Sequence, residues 1–77
     1  MPRYFFHVRD GEFIPDLEGT ELPDDTAACR EAVITAGNML ADIAAGFWNT
    51  GEWTMVVIEN DREVCILTFS GKNSPGL

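Results

Sequence analysis

Hydrophobic and polar positions change period twice along the chain. From Arg3 to Arg9 the run RYFFHVR is aromatic, β-branched or long-chained, with Tyr4, Phe6 and Val8 on one parity and Phe5 and His7 on the other. That is the signature of a strand, whose side chains alternate between two faces. Asp10-Gly11 follows, a dipeptide suited to two-residue turns that need positive φ, so a hairpin is expected. Its second strand starts at Glu12 and is cut short by Pro15, which has no ladder donor and belongs at a sheet edge.

From Asp24 the period becomes helical. Ala28, Ala32, Ala36, Met39, Ile43 and Phe47 recur at spacings of three and four, flanked by Cys29, Val33, Leu40 and Ala44. Arg30, Glu31, Thr35, Asn38 and Asp42 mostly take the other side. The pattern predicts an amphipathic helix of about six turns that ends near Gly46, with alanines allowing a close approach to a sheet. After the loop NTGE, the segments WTMVVIEN and EVCILTFS read as two further strands joined by the polar turn NDR. The expectation is one α+β domain over residues 1–70 in ββαββ order, followed by a flexible tail at 71–77. Its four-stranded, mainly antiparallel sheet is expected in the order 2-1-3-4, with the helix across one face and the proline-broken strand at an edge.

One helix covers only one face of such a sheet. Tyr4, Phe6, Val8, Met55, Val57, Leu67 and Phe69 are assigned to the helix side. The other parity carries Phe5, His7, Val56, Ile58, Val64 and Ile66. An uncovered face with that content is the kind of patch that marks an interface. A homodimer through it is the economical expectation, dimers being the commonest assembly. Apolar residues form 45% of the chain, more than a minimal core needs, which fits a second buried surface.

Charge narrows the partners. Thirteen acidic residues against five basic ones give the 77-residue chain a formal charge of −8. Nucleic-acid binders concentrate positive charge to displace counterions, so neither nucleic acid nor an anionic membrane is an expected partner. The opening MPRYFFHVRD lacks the apolar core of a signal peptide, and no apolar run approaches a membrane span, so a cytoplasmic location is expected. Two cysteines, Cys29 and Cys65, are too few and too far apart in sequence for a disulfide framework or a zinc site.

The stretch PDLEGTELPDD, Pro15 to Asp25, holds five carboxylates and is the richest source of candidate ligands. Its spacing does not match a calcium loop. Asp24 stands where a side chain caps a helix and Asp25 in the first turn, where the helix dipole favours negative charge. Asp16, Glu18 and Glu21 fall in a connecting loop with Gly19. His7, the only histidine, sits in a strand with no nucleophile fixed beside it, although a pairing with Cys29 across the fold is conceivable. Trp48 and Trp53 flank the loop after the helix and are expected to cap the core edge. No phosphate-binding loop, nucleophile elbow or paired-histidine motif is present, so a non-enzymatic protein without cofactor or metal is expected.

The opening MPRYFFHVRDG, with DLEGTELPD and a helix beginning DDTAACREA, resembles a family of short uncharacterised bacterial proteins, a domain of unknown function. The resemblance implies a small stand-alone α+β domain and supplies no site residues. PDLEGTELPDDTAACREA is also similar to the loop and capped helix of HicB antitoxins, without an additional DNA-binding segment being expected here. That similarity implies an acidic module neutralising a basic partner. A small metal-binding protein or enzyme using His7 and the acidic loop is the remaining alternative.

Overall fold

In the computed structural model, which describes residues 1–75, strands and one long helix build two layers. The elements are β1 (Arg3–Asp10), β2 (Glu12–Ile14), β3 (Thr20–Glu21), α1 (Asp25–Asp42), α2 (Ala44–Phe47), β4 (Glu52–Glu59) and β5 (Arg62–Ser70). The antiparallel sheet runs β2-β1-β4-β5, with β3 also on β1. The expected path of four strands is therefore present in the expected order, but the sheet has a fifth strand and the helix is divided. Glu21, expected in a loop, is in β3.

The extra strand has a local cause. Gly19 takes φ +73°, turning the chain so that Thr20 and Glu21 lie opposite Tyr4 and Arg3. The Leu22 amide then donates to the Pro2 carbonyl at 3.1 Å, holding the connection against β1. At the helix start, the Asp24 carboxylate accepts from the Ala27 amide at 2.9 Å and Asp25 occupies the first turn. At its end Ile43 leaves helical geometry (φ −101°, ψ 10°), so Gly46 and Phe47 belong to the separate single turn α2.

The core forms where α1 crosses the sheet. Ala28, Ala32 and Ala36 pack fully buried against Tyr4, Val8, Trp53, Met55 and Val57. Alanines one turn apart remove the bulk that would hold the helix away. Leu67 and Cys65 are half-buried against this cluster, while Phe69 is 41% exposed at its margin. The two tryptophans divide: Trp53 is in the core, and Trp48 is 54% exposed beside Phe47.

The β4–β5 hairpin turns through Asn60 and Asp61, both at positive φ, as a two-residue turn demands. Beyond β5 the chain stays tied through Gly71, whose amide donates to the Gly51 carbonyl at 2.8 Å. Of the expected tail at 71–77, Gly76 and Leu77 lie outside the described residues. Among the described residues, no helix is long and apolar enough to cross a membrane.

Candidate functional site

Register places the uncovered face residue by residue. Across the strands, Phe13, Arg9, Thr54 and Thr68 form one row; His7, Val56 and Ile66 a second; Phe5, Ile58 and Glu63 a third. Among the described residues no helix packs on this side: the core that α1 completes takes the other parity, Tyr4, Val8, Met55 and Val57. Phe5, His7, Val56 and Ile58 are half-buried by their neighbours alone, while Ile66 and Phe13 are 50% and 52% exposed.

Five of the six residues expected here are on this open face. Val64 is not. The β4–β5 register slips between Val57 and Ile58, so Cys65 opposes Val57 and Glu63 opposes Ile58, leaving Val64 as the extra residue of a bulge. Two successive residues then face one partner, and Val64 packs with Cys65 against the core. Phe13 joins the face instead. A two-residue turn at Asp10-Gly11, as the sequence suggests, would set Phe13 opposite Val8 on the helix side; the chain instead reverses at Gly11, at φ +76°, so that Asp10 pairs with Glu12 and Phe13 with Arg9.

The acidic loop is fitted to this face by Asp16. Along the outer edge of β1, β2 pairs with Val8 to Asp10 and β3 with Arg3 and Tyr4, leaving a gap at residues 5–7. Asp16 fills it. Its Oδ2 accepts from the Phe6 amide at 3.1 Å, and its own amide donates to His7 Nδ1 at 3.0 Å. Its Oδ1 accepts from the Glu18 and Gly19 amides, each at 3.1 Å. Partial burial raises the pKa of this carboxyl, but the amides of Gly19, Phe6 and Glu18, with the nearby His7, outweigh it and hold the group below the usual carboxylate range.

Aromatic rings continue the fit. The His7 ring lies nearly parallel to Phe5 at 6.3 Å and tilted to Phe13 at 5.5 Å, and the Arg9 guanidinium sits 5.5 Å over Phe13. Gly19 comes so close that a Cβ there would stand 2.8 Å from Arg3 Cγ and 2.9 Å from the Phe5 ring. The strand residues of this face carry little net charge. Arg3 and Arg9 face Glu21, Glu52 and Glu63, for a sum of −1 against −8 for the whole chain. Arg3 pairs with Glu21 at 3.4 Å.

Other titratable groups gather on the helix side. The buried Tyr4 hydroxyl donates to Asp25 at 2.8 Å, and Arg62 grips the same carboxylate through two nitrogens at 2.9 Å each while also reaching Glu59 at 2.9 Å. Hydrogen bonds from Arg62 and then Tyr4 hold the Asp25 pKa at about 2; burial first, then Asp25, pushes the Tyr4 phenol up to about 12. Periodicity did not reveal this network, because its members are spread over β1, α1, β4 and β5.

The cysteines also meet on the helix side. Burial, then contact with the Cys29 thiol, raises Cys65 to about 11. That places Cys29 across the sheet from His7, so the two form no catalytic pair. Two concavities flank the helix. A cleft of about 290 Å³ lies between Glu31, Thr35 and Met39 of α1 and the Ile14–Asp16 edge. A groove of about 330 Å³ lies between Leu40, Phe47, Trp48 and Phe69. Among the described residues, no three His, Cys, Asp or Glu side chains converge as metal ligands would.

A family model described as a domain of unknown function (DUF6894) matches residues 3–70, from the first residue of β1 to the last of β5. The chain belongs to DUF6894. No curated protein matches it, and no solved structure does. The match shows that the sheet and helix constitute the DUF6894 unit and assigns it no activity.

Proposed function

We propose that this DUF6894 domain is a non-enzymatic protein–protein interaction module that acts as a homodimer through the open face of its sheet. The observation that carries the reading is the apolar field of Phe5, Val56, Ile58, Ile66 and Phe13 around His7, on a layer that α1 does not cover. Charge supports a second copy as the occupant. The strand residues of that face sum to −1, so the remaining surface carries about −7, and two copies meeting elsewhere would bring like charges together.

The area sets the strength. Four strands about 4.8 Å apart, over some six residues of about 3.3 Å, span on the order of 400 Å² in projection, with side-chain relief adding to it. Specific interfaces bury about 800 Å² per partner, so this dimer falls at the low end, with micromolar rather than nanomolar association.

The net charge supports a second reading, a HicB-like inhibitor that binds a basic protein, with charge steering the encounter. Metal or enzyme chemistry at His7 and the acidic loop has less support, because His7 Nδ1 and both Asp16 oxygens already serve backbone amides. Light scattering after size exclusion, over a concentration series, tests the first reading. A dimer that dissociates in the micromolar range is expected, and Ile66→Lys should abolish it while circular dichroism stays unchanged. A monomer at every concentration would overturn the homodimer and leave the basic-partner reading.

A further inference from the structure

His7 stands on the open face at the β1 end of its row, beside Asp16, with one ring nitrogen committed. Nδ1 accepts from the Asp16 amide at 3.0 Å, which requires a lone pair there and puts the proton of the neutral ring on Nε2. A protonated imidazole has no acceptor. Its Nδ1–H would point at the Asp16 N–H, donor against donor. Turning the ring towards the Asp16 carboxylate would still leave that amide without its partner. Either way the bond from the Asp16 amide to His7 is lost, while the carboxylate keeps its own bonds to Phe6 of β1, Glu18 and Gly19.

The surroundings add little else that titrates. From the loop, Asp16 is the charged neighbour; on β1 itself Arg9 is one step along the same face. β2 contributes Phe13, β4 places Val56 opposite with Thr54 and Ile58 on either side, and β5 contributes Ile66, its Glu63 lying one row away. A cation formed at His7 is therefore set among apolar side chains, and covering it with a second sheet would strip its water at a cost that one carboxylate at the rim only partly offsets.

We infer that His7 is an acid-operated release for the open face: protonation breaks one of the two bonds between Asp16 and β1, leaving that to the Phe6 amide, and places a charge within the surface through which two copies meet. The release rests on the homodimer reading. Histidine is the side chain whose charge changes between roughly pH 5 and pH 8, so the effect belongs to mild acidification. Asp16, its carboxyl held below the usual range, stays ionised there, and a change at its amide reports on His7.

The test follows the Asp16 amide by two-dimensional NMR and the dimer dissociation constant by sedimentation, between about pH 7.5 and about pH 5.5. For the native chain the amide signal should titrate and the dimer should weaken by at least roughly tenfold. His7→Asn keeps an acceptor near the Nδ1 position and removes the titration, so it should hold both readouts flat. A dimer equally strong at both pH values, an Asp16 amide that does not move, or a His7→Asn chain that titrates like the native one would overturn the release. A chain that is monomeric at the upper pH would overturn the dimer reading itself, and the behaviour of the Asp16 amide separates that failure from the others.

Discussion

Asp16 and Gly19 do at single positions what a longer strand would otherwise do. β1 needs partners along its whole outer edge, because an unmet amide in a half-buried position costs the desolvation of that group. The carboxylate of Asp16 supplies the Phe6 amide with an acceptor, and Gly19 brings the loop into contact with the Phe5 ring. Glycine is required there twice over, by φ +73° and by a Cβ position under 3 Å from Arg3 and Phe5. Gly19→Ala should therefore lower stability by more than about 1 kcal/mol, the range beyond ordinary glycine effects. Urea denaturation should show the midpoint falling with an unchanged slope; an unshifted midpoint would mean that the loop can move off Phe5 without consequence.

At the scale of elements, Asp25 joins the first turn of α1 to β1 through Tyr4 and to the β4–β5 hairpin through Arg62. Its pKa of about 2 in the fold against an ordinary 3.8 fixes the sign of a pH effect. The folded state holds this proton more weakly than the unfolded state, so the contribution is present above about pH 4 and is lost as pH falls through about 2. The gap in melting temperature between the native chain and Asp25→Asn, which cancels the parallel losses of other carboxylates, should be widest near neutrality, narrow from about pH 4 and close only below about pH 2. A constant gap over that range would exclude Asp25 as the source. What the sequence made legible follows the same lines. The elements with strong periodicity, β1, α1, β4 and β5, and the cap at Asp24 could be read directly, as could the edge position of β2 from Pro15. What depended on tertiary contact could not: the Asp25 network, the meeting of Cys29 with Cys65, the two-residue β3, and the bulge that turns Val64 inward. Strict alternation placed Val64 on the open face, and one unpaired residue sufficed to move it.

For the whole molecule, the two functional readings predict opposite responses to salt. Each chain carries −8, and the contact proposed for the homodimer has a strand-residue charge of only −1, so the long-range term between two copies is repulsive while the contact itself is apolar. Raising the ionic strength shortens the Debye length from roughly 10 Å at 0.1 M to about 3 Å at 1 M, which removes the repulsion and leaves the apolar contact intact. The dimer should tighten across that range, by several-fold in dissociation constant when followed by sedimentation. Binding to a basic partner steered by the acidic surface would instead weaken, mainly through a slower on-rate. Dimers that loosen with salt would mean that ion pairs such as Arg9 with Glu63 or Glu52 of a second copy hold the contact, and the apolar field around His7 would then be incidental to assembly. Tightening with salt, lost in Ile66→Lys, ties association to the open face, where His7 can control it.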